Sequence, residues 1–106
     1  MTRAASRSRT TGETRIEINL DVDGVGETDT TTGLPFFDHM LDQLGRHGGF
    51  NLSVQASGDL DVDAHHTVED TAILLGECLR EALGDKKGVR RFASNVVPLD
   101  EAAVEV

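Results

Sequence analysis

The chain has 106 residues, enough for one small domain and near the lower end of what builds a core unaided. Its hydrophobic fraction is 38% with four Phe and neither Trp nor Tyr, so the core must rest on aliphatic packing. A formal net charge of −9 disfavours a nucleic-acid backbone or an anionic membrane surface as partner, and no apolar run reaches membrane length.

The charge is uneven. Residues 1–12 hold Arg3, Arg7 and Arg9 amid Ser and Thr with no acid, and read as a disordered basic tail. Transit peptides share that bias, but this stretch is short and lacks an amphipathic run. From Glu13 the chain alternates strictly, with Ile16, Ile18 and Leu20 on one side and Glu13, Arg15 and Glu17 on the other, which predicts a half-buried strand. Asp23-Gly24 is a hairpin signal, and Val25 to Thr30 is expected to return antiparallel beside that strand.

Gly33-Leu34-Pro35 ends the strand and sets Pro35 at the first position of a helix, where its missing donor costs nothing. That helix is predicted to run to about His47, with Phe37, Met40, Leu41 and Leu44 facing the core and Gly48-Gly49 ending it. His39, Gln43 and His47 form a separate polar stripe four residues apart. Phe50, Leu52, Val54 and Ala56 alternate again, and after a turn at Ser57-Gly58-Asp59, Leu60 and Val62 suggest a second hairpin. A second helix follows, capped by Asp63 or by Thr67 with Asp70, and reaching about Leu83. Val68, Ala72, Leu75, Leu79 and Ala82 form its main stripe, while Ile73, Leu74 and Cys78 add apolar surface that predicts cover on more than one side. Cys78 is the only cysteine, which suits a small core residue in a reducing cytoplasm. The order reads β-β-α-β-β-α over residues 13–94, an α+β unit with a four-stranded sheet packed against two helices. Residues 95–106 read as the start of a further strand.

The chemistry concentrates in His65-His66-Thr67-Val68-Glu69-Asp70. Residues four apart share a helix face, so His65 pairs with Glu69 and His66 with Asp70 in two stripes about 100° apart. The alternatives are exposed polar residues, or one core histidine beside a capping residue. The positive end of the helix dipole favours neutral, ligating imidazoles and ionised carboxylates. If the two helices pack together, His39 and His47 could bring further imidazoles. The spacing differs from the zinc-protease pattern, and no CxxC pair offers a structural zinc site. Lys86, Lys87, Arg90 and Arg91 read as a solvated turn, a phosphate clamp or a nucleic-acid patch, the last disfavoured by the overall acidity.

Phe36-Phe37-Asp38-His39-Met40-Leu41, Gly58-Asp59-Leu60, His65 to Ile73, Ala82-Leu83-Gly84-Asp85-Lys86 and Pro98-Leu99-Asp100-Glu101-Ala102 together resemble imidazoleglycerol-phosphate dehydratase, an enzyme of histidine biosynthesis. The resemblance spans Glu13 to Val106. It implies a duplicated fold of two similar α+β halves with helices lying between sheets, and homo-oligomeric assembly from trimers with active sites between subunits. Two manganese ions per complete site are implied, with His39, His65, His66 and Glu69 as ligands and no ligand role for Asp70. Glu13, His39, Gln43, His47, His65, Glu69 and Arg91 are the implied substrate contacts, with Arg91 on the phosphate and either Glu13 or a carboxylate of the family's second half as acid or base. The implied reaction is loss of water from imidazole glycerol phosphate to give imidazole acetol phosphate, through expulsion of a hydroxyl by the ionised ring and removal of the C–H proton so acidified. Residues 95–106 then read as the opening of a second half cut mid-strand. The chain alone is expected to turn over little or not at all. The alternative function is a non-catalytic divalent-metal-binding module that self-assembles. Neither reading involves nucleic acid or a membrane, and the location implied is cytoplasmic.

Overall fold

The computed structural model describes residues 3–106. Six strands and two helices are present in the order β1 (Ala4–Thr10), β2 (Thr14–Asp21), β3 (Thr28–Thr31), α1 (Pro35–Gly48), β4 (Asn51–Gly58), α2 (His65–Leu83), β5 (Val96–Leu99) and β6 (Ala102–Glu105). The first four strands form one sheet in the order β1-β2-β4-β3, and β5 and β6 form a separate antiparallel pair. The α+β unit of four strands and two helices is therefore present, but its element order is β-β-β-α-β-α.

The expected disordered tail is a strand from Ala4 to Thr10; Met1 and Thr2 lie outside the described residues. Its register against β2 pairs Ala5 with Leu20, Arg7 with Ile18 and Arg9 with Ile16, so Ala5, Arg7 and Arg9 share the face of the β2 isoleucines. On that face Arg7 meets Glu77 at 3.3 Å and Glu81 at 3.0 Å, and Arg9 lies 3.7 Å from Asp70. Arg3 forks onto Asp23 through Nε at 3.0 Å and Nη2 at 2.8 Å. The arginines that made the segment look like a tail are the complement of an acidic helix.

The Asp23-Gly24 hairpin is not formed. The β3 strand instead runs parallel to β4, while β4 runs antiparallel to β2 and separates β2 from β3. A parallel pair needs a crossover, and α1 is that crossover. Asn51 holds the incoming segment in place by accepting from the backbone N–H of Val25 at 2.9 Å and Glu27 at 3.1 Å. The second hairpin is also absent. The segment after Gly58 is a turn in which the Asp59 carbonyl accepts from the N–H of Val62 at 2.9 Å and Asp63 at 3.3 Å, and Val62 is exposed.

The core is one layer between the sheet and the two helices, built on Ile16, Ile18, Leu20, Leu52, Val54, Leu41, Leu74 and Cys78. Helix α1 buries Leu41 and Gly45, with Phe37 partly buried, whereas Met40 and Leu44 of the predicted core stripe are nearly half exposed. Gly45 sits against the Thr28 methyl, so the helix approaches the sheet where no side chain intervenes. Helix α2 buries Thr67, Asp70, Thr71, Leu74, Cys78 and Ala82, while Ile73 and Leu79 face out. Its N-cap is Ala64, without a side-chain cap, in place of either Asp63 or Thr67. The β5–β6 hairpin is exposed along both strands. No helix among the described residues is long and apolar enough to cross a membrane.

Candidate metal centre

Topology decides which residues meet. Strand β3 is parallel to β4, so both end on the same side of the sheet, and the helix that follows each begins there. Strand β2 is antiparallel to β4 with Thr14 opposite Gly58, so Glu13 enters at that same end. His39 is one turn into α1, His65 and His66 open α2, and Glu13 stands at the mouth of β2.

Within this cluster His65 and Glu69 form the expected pair, Nε2 to Oε2 3.1 Å, both well exposed. The contact is a hydrogen bond along one helix face, and two ligands about 2.1 Å from one ion at right angles would also lie about 3.0 Å apart, so an ion could take the place of the shared proton. The His66 ring is 5.5 Å from that of His65 and tilted by 56°. It does not pair with Asp70. Its Nδ1 lies 2.8 Å from Oδ2 of Asp59, a carboxylate of the turn before α2. That hydrogen bond and the charge of Asp59, with smaller contributions from Glu13 and Asp70, raise the His66 pKa above the ordinary imidazole value against the opposing effect of desolvation. The Asp59 carboxylate thus acts on His66 in the direction opposite to the helix dipole, which favours the neutral ring.

Asp70 points inward. It is buried and accepts the Thr14 hydroxyl at 2.6 Å. Thr14 also meets Thr11 through their hydroxyls at 3.1 Å, and the Thr11 hydroxyl receives the Glu13 N–H at 3.1 Å. Thr11 and Glu13 are further linked through Oγ1 and Oε2 at 3.2 Å. Asp70 therefore belongs to a chain of contacts that ties the first turn of α2 to the entry of β2, which is where Glu13 stands. The sequence reading missed Asp59 and this Thr11–Thr14–Asp70 chain. The available signal was a short-side-chain acid in the turn just ahead of a helix that opens with histidine.

The remaining predicted site residues are less closely gathered. His39 is exposed, and Gln43 and His47 bond to each other at 2.8 Å along α1. Arg91 is exposed in the irregular segment after α2, a helix that carries the chain about 27 Å from His65 before that segment begins. Among the described residues no three His, Cys, Asp or Glu side chains converge into a cluster able to hold a metal ion by themselves. The donor types and the His65–Glu69 bite fit a divalent ion; the number of converging donors does not complete its shell.

The fold and site together define an α+β unit whose last helix opens on a His-His-x-x-Glu set, with too few converging donors among the described residues to hold an ion unaided. The sequence profile described as imidazoleglycerol-phosphate dehydratase matches residues 32–106. The chain belongs to the imidazoleglycerol-phosphate dehydratase family. It is 60% identical to a relative of that name from Parafrankia sp. over 105 residues, covering 99% of this chain and 54% of the relative. A relative of the same name from Haloarcula marismortui is 61% identical over 104 residues, covering 98% and 53%. The solved imidazoleglycerol-phosphate dehydratase from Staphylococcus aureus superposes with a TM-score of 0.80 at 30% identity, over 96% of this chain and 54% of that one. The chain thus spans about half the length of these relatives.

Proposed function

We propose that this chain forms one half of the active site of a manganese-dependent imidazoleglycerol-phosphate dehydratase acting in histidine biosynthesis. The observation that carries the reading is the His65–Glu69 pair, spaced 3.1 Å for one ion, beside His66 at a helix start that lies within the family match. Bound manganese would stabilise negative charge developing on the substrate's imidazole ring. His65 Nε2 and Glu69 Oε2 would hold one ion together, with His66 and His39 as the further donors from this half. Glu13, exposed at the mouth of β2 and braced by Thr11, would hold or move a proton. The His39, Gln43 and His47 face and Arg91 would hold the substrate, Arg91 by a bidentate contact to its phosphate. Active sites between subunits of a homo-oligomer would complete the donor set, and the buried thiol of Cys78 suits a cytoplasmic setting.

The test is a manganese-dependent dehydration assay on this chain, alone and with the second half supplied separately. Little turnover alone and recovery on mixing are expected. Full activity from the chain alone would refute the view that donors from elsewhere are needed.

A non-catalytic module that self-assembles around metal is the second reading, favoured by the apolar side chains Met40, Leu44, Ile73 and Leu79 on the outer sides of the helices. Light scattering with and without manganese separates the two: a monomer indifferent to the metal excludes this second role.

A further inference from the structure

We propose that Asp59 is the positioning residue for His66, fixing its ring so that Nδ1–H faces the carboxylate and Nε2 is left with a free lone pair for a metal ion. The inference rests on the proposed metal role of His66 and adds a residue outside the ligand set.

The geometry is that of a supported ligand. Asp59 Oδ2 is 2.8 Å from His66 Nδ1, and the Asp59 side chain is only 20% exposed. Its base is fixed too, because the Asp59 carbonyl receives the N–H groups of Val62 and Asp63 and closes the turn before α2. A carboxylate ionised in that place accepts hydrogen bonds and donates none, so the imidazole nitrogen facing it must carry the proton. In the neutral ring the other nitrogen is then the acceptor. His66 itself is nearly half exposed, which leaves Nε2 reachable. The other Asp59 oxygen, Oδ1, is buried without a hydrogen-bond partner, so the carboxylate is held partly desolvated. An exposed ion pair between a surface histidine and a mobile acid would need none of these features. Ligating histidines elsewhere are oriented by a carboxylate on the second ring nitrogen, and loss of that partner lowers metal affinity 10- to 100-fold.

Two measurements on the full 106-residue chain test the assignment, with Mn²⁺ alone as the probe. Imidazole nitrogen shifts, recorded without metal where His66 is neutral, should report the Nδ1–H tautomer in the unsubstituted chain and a solution-like mixture in Asp59→Ala. Asp59→Asn keeps an oxygen acceptor and should restore the tautomer. Paramagnetic broadening at His66 on Mn²⁺ titration should need on the order of 10- to 100-fold more metal in Asp59→Ala, with Asp59→Asn intermediate. An unchanged tautomer in a folded Asp59→Ala, or an Nε2–H ring in the unsubstituted chain, overturns the inference without reference to metal. Equal broadening in the unsubstituted chain and a folded Asp59→Ala overturns the inference while sparing the metal reading. No broadening at His66 in the unsubstituted chain overturns the metal reading itself.

Discussion

Asp70 offers the sharpest test of what holds the site in place. Helical spacing sets it on one stripe with His66 and the resemblance gives it no ligand role; the structure places it at the interface between α2 and β2. Its carboxylate is buried and accepts the Thr14 hydroxyl at 2.6 Å, with Arg9 Nε 3.7 Å away. A hydrogen bond to a charged group contributes about 1.5–3 kcal/mol, roughly twice a neutral one. Asp70→Asn keeps an acceptor but removes the charge, so its expected cost is about 1–1.5 kcal/mol. Asp70→Ala removes both, and about 2–3 kcal/mol is expected. A larger cost is not expected, because the Thr14 hydroxyl can still turn to Thr11 at 3.1 Å. Urea unfolding followed by circular dichroism, with unchanged m-values, gives these differences directly. A cycle with Thr14→Val should show coupling of about 1–2 kcal/mol. Asp70→Ala within 0.5 kcal/mol of the unsubstituted chain, or no coupling to Thr14, would refute the reasoning.

Three further outcomes follow from the packing and charges. A Cβ at Gly58 would run into the Thr67 hydroxyl and lie 3.2 Å from the Thr14 methyl, so Gly58→Ala should cost about 1–3 kcal/mol, read from the thermal midpoint; an unchanged midpoint would contradict the close approach. The Arg3 fork holds the Asp23 carboxyl down at about 2, against an ordinary value of 3.8. A depressed carboxylate pKa contributes stability that is fully present above the unfolded value and is lost as pH falls through the folded one. Between pH 3.8 and about 2 the anchor of β1 should therefore weaken, seen as faster amide exchange at Val22, whose N–H donates to the Arg3 carbonyl; an ordinary Asp23 titration in carboxyl NMR would dispose of the anchor. Burial pushes the Cys78 thiol up, so thiol reagents should label it only as the chain unfolds, and prompt labelling of the native chain would contradict its place in the core.

Both helices and the strands β2 and β4 were legible in the sequence, because their apolar periods and their Gly and Pro boundaries agree. Composition misled at β1: Arg7 and Arg9 read as tail residues when viewed without Glu77, Glu81 and Asp70, which are more than sixty residues away. Periodicity misled at the helix faces for a different reason. It assumes that the most apolar stripe meets the core, but α2 approaches the sheet with Thr67 and Thr71 and α1 with Gly45, where Gly58 and Thr28 leave little room. Small residues win such a contact because close packing there excludes larger ones. Met40, Leu44, Ile73 and Leu79 are displaced to the outer sides. In the candidate site, the His65–Glu69 pair follows from i, i+4 spacing, whereas the His66 partner does not, since Asp59 reaches it from the turn ahead of α2, outside any helical spacing.

The openness of the candidate site has a topological origin. Three separate segments bring Glu13, His39 and the His65 to Glu69 turn to one end of the sheet, because the parallel β3–β4 pair starts both helices there and antiparallel β2 enters there. That arrangement collects chemistry along an edge and leaves it open outward. His65 and Glu69 are more than half exposed, so both side chains lie away from the core described above. A metal held there by two or three groups of this chain keeps its other positions toward solvent or toward whatever covers the edge. Ile73, exposed and four residues beyond Glu69, continues the His65–Glu69 stripe of α2. Under the proposed metal role, cover over that stripe would bury Ile73 and bring further donors from the same side, so that the apolar surface and the metal shell would be completed together.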